Sequence, residues 1–281
     1  MPEFLHLNGV DLSTLVSNVE SIASLLRTPP RRGSTVTVPG RHGALRLADR
    51  PFDVVDFQLP FFVLGVDDVT GASLAGDAAV TAFYAAADTL LTQLHAPVLN
   101  FDHGLPDGSV RRTVAQLADE VMDFTRQQGS PLFGRVLAPL LVPDAFRVDP
   151  TLVEVAPFAL TSGGTRVLTE FAGATAPMAD LSVTFHGPIN NPELHQTDTD
   201  SFIAYDGVIG SGQTLTIHCD DSADPPLVGT GGLTPDYSKL RYLPPRWFEL
   251  DPAAGLTVSL SHTGGGSASC SIEGRKKYLT G

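Results

Sequence analysis

Basic residues are scarce in this chain: 18 lysines and arginines stand against 31 aspartates and glutamates, for a net charge of −13. Sequence-independent nucleic-acid binding needs clustered cations that displace counterions from phosphates. The few present are scattered, which excludes DNA or RNA binding as the primary role. An acidic surface suits a protein that DNA slides past better than one that holds it. Cysteine is rarer still. Cys219 and Cys270 stand far apart and show no CxxC spacing. Two buried structural thiols are expected, and a disulfide would require the two to lie on neighbouring strands.

Long apolar runs are absent too. The longest, such as 136–143 (VLAPLLVP), are too short and too interrupted by proline to span a bilayer. Pro2-Glu3 follow Met1 where a signal sequence would carry positive charge. The expectation is a chain made in the host cytoplasm that stays soluble at least until it joins an assembly, with no membrane partner. Catalytic signatures are equally lacking, with no G-x-S-x-G elbow, no H-E-x-x-H and no P-loop. Asp102-His103 beside Gly104 is a lone acid–base dipeptide. Gly264-Gly265-Gly266-Ser267 joins two expected strands, so it has no helix N-terminus with which to cradle a phosphate. No catalytic residue, cofactor or metal site is assigned.

What is present is punctuation. Glycine and proline number 27 and 22, hydrophobic residues make up 42% and charged residues 17%. That composition describes a folded chain of many short, turn-separated strands. Asn8-Gly9 is a strong tight-turn signal after the alternating stretch 4–10. Residues 15–26 are ambiguous between helix and loop. Short strands are predicted at Thr35–Val38, followed by the turn Pro39-Gly40, and at 52–59, where Val54-Val55 breaks the alternation. One helix is predicted over 76–95. Val80, Phe83, Ala87, Leu90, Leu91 and Leu94 form its stripe, Asp77 is its N-cap candidate and Pro97 its stop. One face of that helix must lie on a sheet. Strands return at 98–101, 110–126 and 133–142, with turns at Pro106-Asp107-Gly108 and at Gln128–Pro131.

From Phe171 the pattern becomes purely β. Strands are expected at 181–186, 202–205, 214–219, 247–250, 256–262 and 267–273. Leu181, Val183 and Phe185 share one face, as do Leu256, Val258 and Leu260, and this period of two argues for a β-sandwich. The domains are therefore read as 1–168 and 169–281, in a mainly β chain with one α-helix. His218, Cys219, Asp220, Asp221 and Asp224 cluster in sequence, but consecutive strand residues face opposite ways, so a solvated turn is expected and not a metal site.

The order of weak motifs in the second half resembles the distal tail proteins of long-tailed bacteriophages. The relevant residues are Phe171, Gly173, Thr175, Ala176 and Pro177, then the strand 181–186, Gly187 and Asn191-Pro192. The stretches 207–219 and 247–260 and the ending 275–278 (RKKY) continue the resemblance. In the first half, Asn8-Gly9, Gly40-Arg41-His42-Gly43 and the helix are similar to the ring-forming domain of that family, and 139–149 is similar to a late strand of actinobacterial-phage minor tail proteins. The resemblance implies a tail-tube-like β-sandwich or barrel followed by a galectin-like, carbohydrate-module-like β-sandwich. It implies a structural, non-enzymatic virion protein at the tail tip, six copies of which close into a ring around a channel for DNA in transit. The implied partners are the tail tube protein, the tape measure protein, and tail-tip hub or receptor-binding proteins. Strand edges at 35–38 or 52–59 would supply pairing between copies. The alternative is a carbohydrate-binding module for host attachment. For it, His186, Asn191 and Trp247 are the candidate contacts, beside Asn190, weighed against a turn at Asn191-Pro192 and a core tryptophan. Arg111-Arg112 and Arg275-Lys276-Lys277 are expected to pair with acidic groups at subunit interfaces.

Overall fold

The computed structural model of the protein describes residues 4–15, 18–19, 36–37, 44–45, 55–67, 70, 72, 74–118, 123–127, 133–144, 146–159, 161–219, 225–242, 247–264 and 269–279. The chain is mainly β, in antiparallel sheets, with one long helix among the described residues. It divides into two compact units: Met1–Val148 with Leu279–Gly281, and Asp149–Tyr278.

The first unit begins with β1 (Phe4–Leu7), β2 (Val10–Asp11), a single helical turn α1 (Leu12–Leu15), β3 (Asn18–Val19), β4 (Val36–Thr37), β5 (Ala44–Leu45) and β6 (Val55–Leu64). Helix α2 (Gly76–Leu94) follows, then β7 (Leu99–Gly104), β8 (Val110–Leu117), β9 (Asp123–Gln127), β10 (Phe133–Val142) and β11 (Arg147–Val148). Asn8 and Gly9 both take positive φ, 51° and 83°, and close the β1–β2 hairpin as their sequence demands. The main sheet runs β2-β1-β7-β8-β10-β6-β3, with β9 beside β10 and β11 beside β8. Helix α2 places Phe83, Ala87, Leu90 and Leu94 against Leu59, Phe61, Val63, Leu99, Phe101 and Val136 in one core. Val80 and Leu91 flank that core, so the predicted stripe is the buried face. Phe83 sits directly over Gly134, where an added Cβ would lie 2.8 Å from its ring. The N-cap differs from expectation. Ala75 is the cap, with no side-chain hydrogen bond, and Asp77 lies in the first turn, where its charge still favours the helix dipole.

The strand predicted at 52–59 is described from Val55 and continues to Leu64. Proline at position 60 does not end it, because Phe61 and Val63 carry the same buried face onward. It is not a free edge. β10 pairs along its whole length, and β3 pairs on the other side at Phe61 and Phe62. Val36–Thr37 likewise pairs with Ala44–Leu45. Apart from Val36–Thr37, the predicted strand Thr35–Val38 and turn Pro39-Gly40, with the segment Gly40–Gly43 and the turn 128–131, lie outside the described residues.

The second unit is made of β12 (Val153–Ala159), β13 (Gly164–Val167), β14 (Ser182–His186), β15 (Ile189–Asn190), β16 (Glu193–Gln196), β17 (Phe202–Tyr205), β18 (Val208–Ile209) and β19 (Thr214–His218). It continues with β20 (Leu227–Thr230), β21 (Leu240–Tyr242), β22 (Thr257–Ser261), β23 (Ser269–Gly274) and β24 (Lys277–Tyr278). Two five-stranded sheets result, in the orders β12-β23-β14-β19-β20 and β13-β22-β16-β17-β21. Val183, Phe185, Leu215, Ile217 and Ile272 of the first sheet meet Leu194, Ile203, Val258 and Leu260 of the second in one core, so the unit is a β-sandwich. Burial of each such side chain contributes about 1.5–3 kcal/mol, which makes this core the main source of the unit's stability.

Two expectations need correction. The boundary falls at 148/149 and not at 168/169, because β12 pairs with β23 and β13 with β22, which ties 153–167 into the sandwich. Residues 247–249 form no strand. Only Leu250 makes a bridge, to Met178, and Trp247 packs by stacking on Tyr242 with ring centroids 4.5 Å apart.

Candidate functional site

The groups singled out in the sequence are dispersed by the fold. His186 is on the outer face of the first sheet, where its Nε2 lies 3.0 Å from the Ser271 hydroxyl and partial burial holds its pKa below the usual histidine range. Asn191 lies at one end of the second sheet. Trp247 packs against the core beside Tyr242. These three do not form one site. Asn190 donates its backbone N–H to Gly264 O and accepts from Thr263 N, so it serves the turn.

Other candidates are absorbed into the structure in the same way. His218 reaches Ser182 Oγ at 2.8 Å on the outer face of its sheet, while Cys219 next to it is buried in the core, the opposite orientation expected of strand neighbours. Asp220, Asp221, Asp224 and Gly265–Ser267 lie outside the described residues. Asp102 is gripped by both arms of the Arg112 guanidinium, at 2.6 and 2.8 Å, across the β7–β8 pair. Lys277 is buried and reaches Asp180 at 2.6 Å, and Lys276 donates to Ala172 O at 2.8 Å. Arg112, Lys276 and Lys277 therefore have partners within their own chain.

Both cysteines are free and buried. Burial pushes the Cys219 thiol up to about 12, and the Cys270 thiol is raised for the same reason. The thiolate, which is the reactive form, is thus suppressed along with access. A colorimetric disulfide reagent at pH 8 is expected to titrate no thiol in the native chain and both after denaturation. Rapid reaction of either thiol in the folded protein would contradict the buried placement.

The described residues gather polar chemistry in a groove of about 590 Å³ at one end of the second sheet. Three strands, β16, β21 and β22, and the segments beside them build it. Register places Ser261, Glu193, Ala204 and Arg241 in one row across β22, β16, β17 and β21. Ala204 is small and fully buried, so the Arg241 side chain crosses it to meet Glu193 at 3.4 Å while also holding Asp206 at 2.8 Å. Asn191 takes φ 46°, a conformation asparagine tolerates, and donates from Nδ2 to Thr263 Oγ1 at 3.1 Å. Ser162 accepts from the His262 backbone N–H at 3.1 Å. The His262 ring is different. Both of its nitrogens are buried without a hydrogen-bond partner among the described residues, and it lines the groove.

Arg241 and Asp206 are about half exposed, at 48% and 49%, so their pair contributes at most about 1 kcal/mol to stability. Its consequence is geometric: the guanidinium is held flat and in place, with two carboxylates beside it. Sequence reasoning reached only Asn191 of this set. Glu193, Asp206, Arg241 and His262 come from four separate segments and form no motif.

No protein-family model matches the chain, and no curated protein matches it.

Proposed function

We propose that the chain is a structural virion protein of a long-tailed bacteriophage, a distal tail (minor tail) protein. In this reading the first unit closes with five copies of itself into a ring that joins the tail tube to the tail tip. The channel passes DNA, and the acidic balance of −13 keeps the phosphate backbone from adhering. The neighbours would be the tail tube protein, the tape measure protein, and hub or receptor-binding proteins, in the virion tail tip. The observation that carries the reading is the order of two architectures in one chain: an antiparallel sheet covered by one long helix among the described residues, then a two-sheet sandwich that contains the Phe171–Pro192 motif series.

Assembly tests it directly. Class averages of the purified full chain, or of tails that contain it, are expected to show six-fold rings, with a mass six times 29.7 kDa in solution. Monomers alone within assembled tails would overturn the reading.

A further inference from the structure

We propose that the outer face of the first sheet of the sandwich docks a basic segment of a partner protein, with a lysine or arginine side chain entering between Glu154 and Glu273. The two glutamates stand directly opposite each other on β12 and β23. Both point away from the core, since Val155 and Ile272 beside them are buried. Opposed positions on antiparallel strands bring Cβ atoms to about 4.5–5.5 Å, where like charges repel. Neither glutamate has an ion pair or a side-chain hydrogen bond among the described residues. In the same unit Glu170, Asp180, Asp206 and Asp236 each hold an arginine or a lysine. No lysine or arginine stands on the five strands of the first sheet, so the sheet itself cannot neutralise the pair. A cation from outside does so.

The surface around the pair is suited to being covered. Its hydroxyls and imidazoles satisfy one another across the strands: Ser182 with His218 at 2.8 Å, Thr184 with Thr216 at 2.9 Å and His186 with Ser271 at 3.0 Å. A polar group that keeps its partner loses little when water leaves, whereas one left unpaired costs its full desolvation. The surface is also shaped. Between Val155 and Phe158 the register shifts, so that Ala156 and Pro157 together oppose Ser271. A dent of about 290 Å³ lies at this bulge, bordered by both glutamates and by Ser182 and His218, with room for one long side chain. The described residues hold no group of three metal-ligating side chains, which leaves an organic cation as the occupant. A second copy of this face would bring two more carboxylates and no cation, so the complementary partner is a different, basic protein. The inference does not rest on the tail reading.

The test titrates the full chain, labelled with nitrogen-15, with short peptides that alternate arginine or lysine with threonine, and with a glutamate–threonine peptide of equal length. The basic peptides are expected to shift the amide signals of Thr184, Ser271 and Glu273, less so as salt rises, and the acidic peptide to shift none. Glu154→Gln combined with Glu273→Gln is expected to weaken binding by about tenfold. Asp198→Asn combined with Asp200→Asn removes the same charge from the turn between β16 and β17, and is expected to leave binding unchanged. The two double variants thereby separate a site from general attraction to an acidic chain. Both glutamates are exposed and repel each other, so the glutamine variant is not expected to lower the melting temperature. No shift at this face with any basic peptide, equal weakening by the two double variants, or a lowered melting temperature of the glutamine variant overturns the inference. Self-association of the chain that the glutamine variant abolishes also overturns it, by assigning the face to a second copy.

Discussion

Replacement of Phe185 by alanine is expected to destabilise the sandwich by about 3–5 kcal/mol, the usual cost of removing a large aromatic from a core that cannot collapse around the cavity. The position leaves little room for relaxation. Phe185 is fully buried, and its strand β14 is the central one of its sheet, held by β19 on one side and β23 on the other. Trp247 is the chain's only tryptophan and packs against the same core, so its fluorescence reports this unit and not the first. At roughly 3–5 °C per kcal/mol for a unit of this size, the fluorescence transition should fall by more than about 10 °C. Thr184→Ala, the neighbour that faces outward and meets Thr216 at 2.9 Å, should move it by no more than a few degrees. Equal shifts for the two variants would contradict the assigned faces of β14.

The second large effect comes from a polar residue. Gln196 has no exposed surface, and its amide reaches the loop after Leu250. Nε2 donates to Asp251 O at 2.8 Å and to Gly255 O at 2.5 Å, while Oε1 accepts from Asp251 N at 2.9 Å. Gln196→Met keeps the volume and removes all three bonds. Each backbone group left unpaired costs about 1–3 kcal/mol where water cannot replace the partner, and partial access at the exposed Gly255 reduces the total. A loss of about 2–4 kcal/mol is expected, measured by denaturant titration followed through Trp247. Unlike the Phe185 variant, Gln196→Met should also release the short 3₁₀ turn Pro252–Ala254, seen as faster amide exchange there. Unchanged exchange in that turn would show that the amide does not anchor it.

These two residues mark how much was legible beforehand. Phe185 was, because Leu181, Val183 and Phe185 alternate with polar neighbours, and period two in an antiparallel strand is a direct consequence of the pleat. Gln196 was not. Its strand Glu193–Gln196 holds one leucine among polar residues, and its partners are 55 and 59 residues away. β12 was missed for a related reason: the register shift between Val155 and Phe158 breaks the alternation that would have revealed it. β13, with glycine first and half its residues exposed, has too little apolar face to register. That pair of omissions moved the expected boundary from 148 to 168. Trp247 erred the other way, since an aromatic beside Phe248 and Leu250 reads as a strand although it packs through Tyr242 without a ladder.

Local periodicity and turn chemistry in the sequence alone determined the mainly β character, the helix Gly76–Leu94 with its buried stripe, the Asn8-Gly9 hairpin and the inward face of β14. Those features depend on neighbours within a few residues, where φ/ψ preference and side-chain alternation act. Only the tertiary structure decided where one unit ends and the next begins, which polar residue is buried, and that Glu193, Asp206, Arg241 and His262 meet in one groove. Strand order and register set those outcomes, and they are fixed by the joint burial of both sheet faces, a property no short stretch of the chain contains.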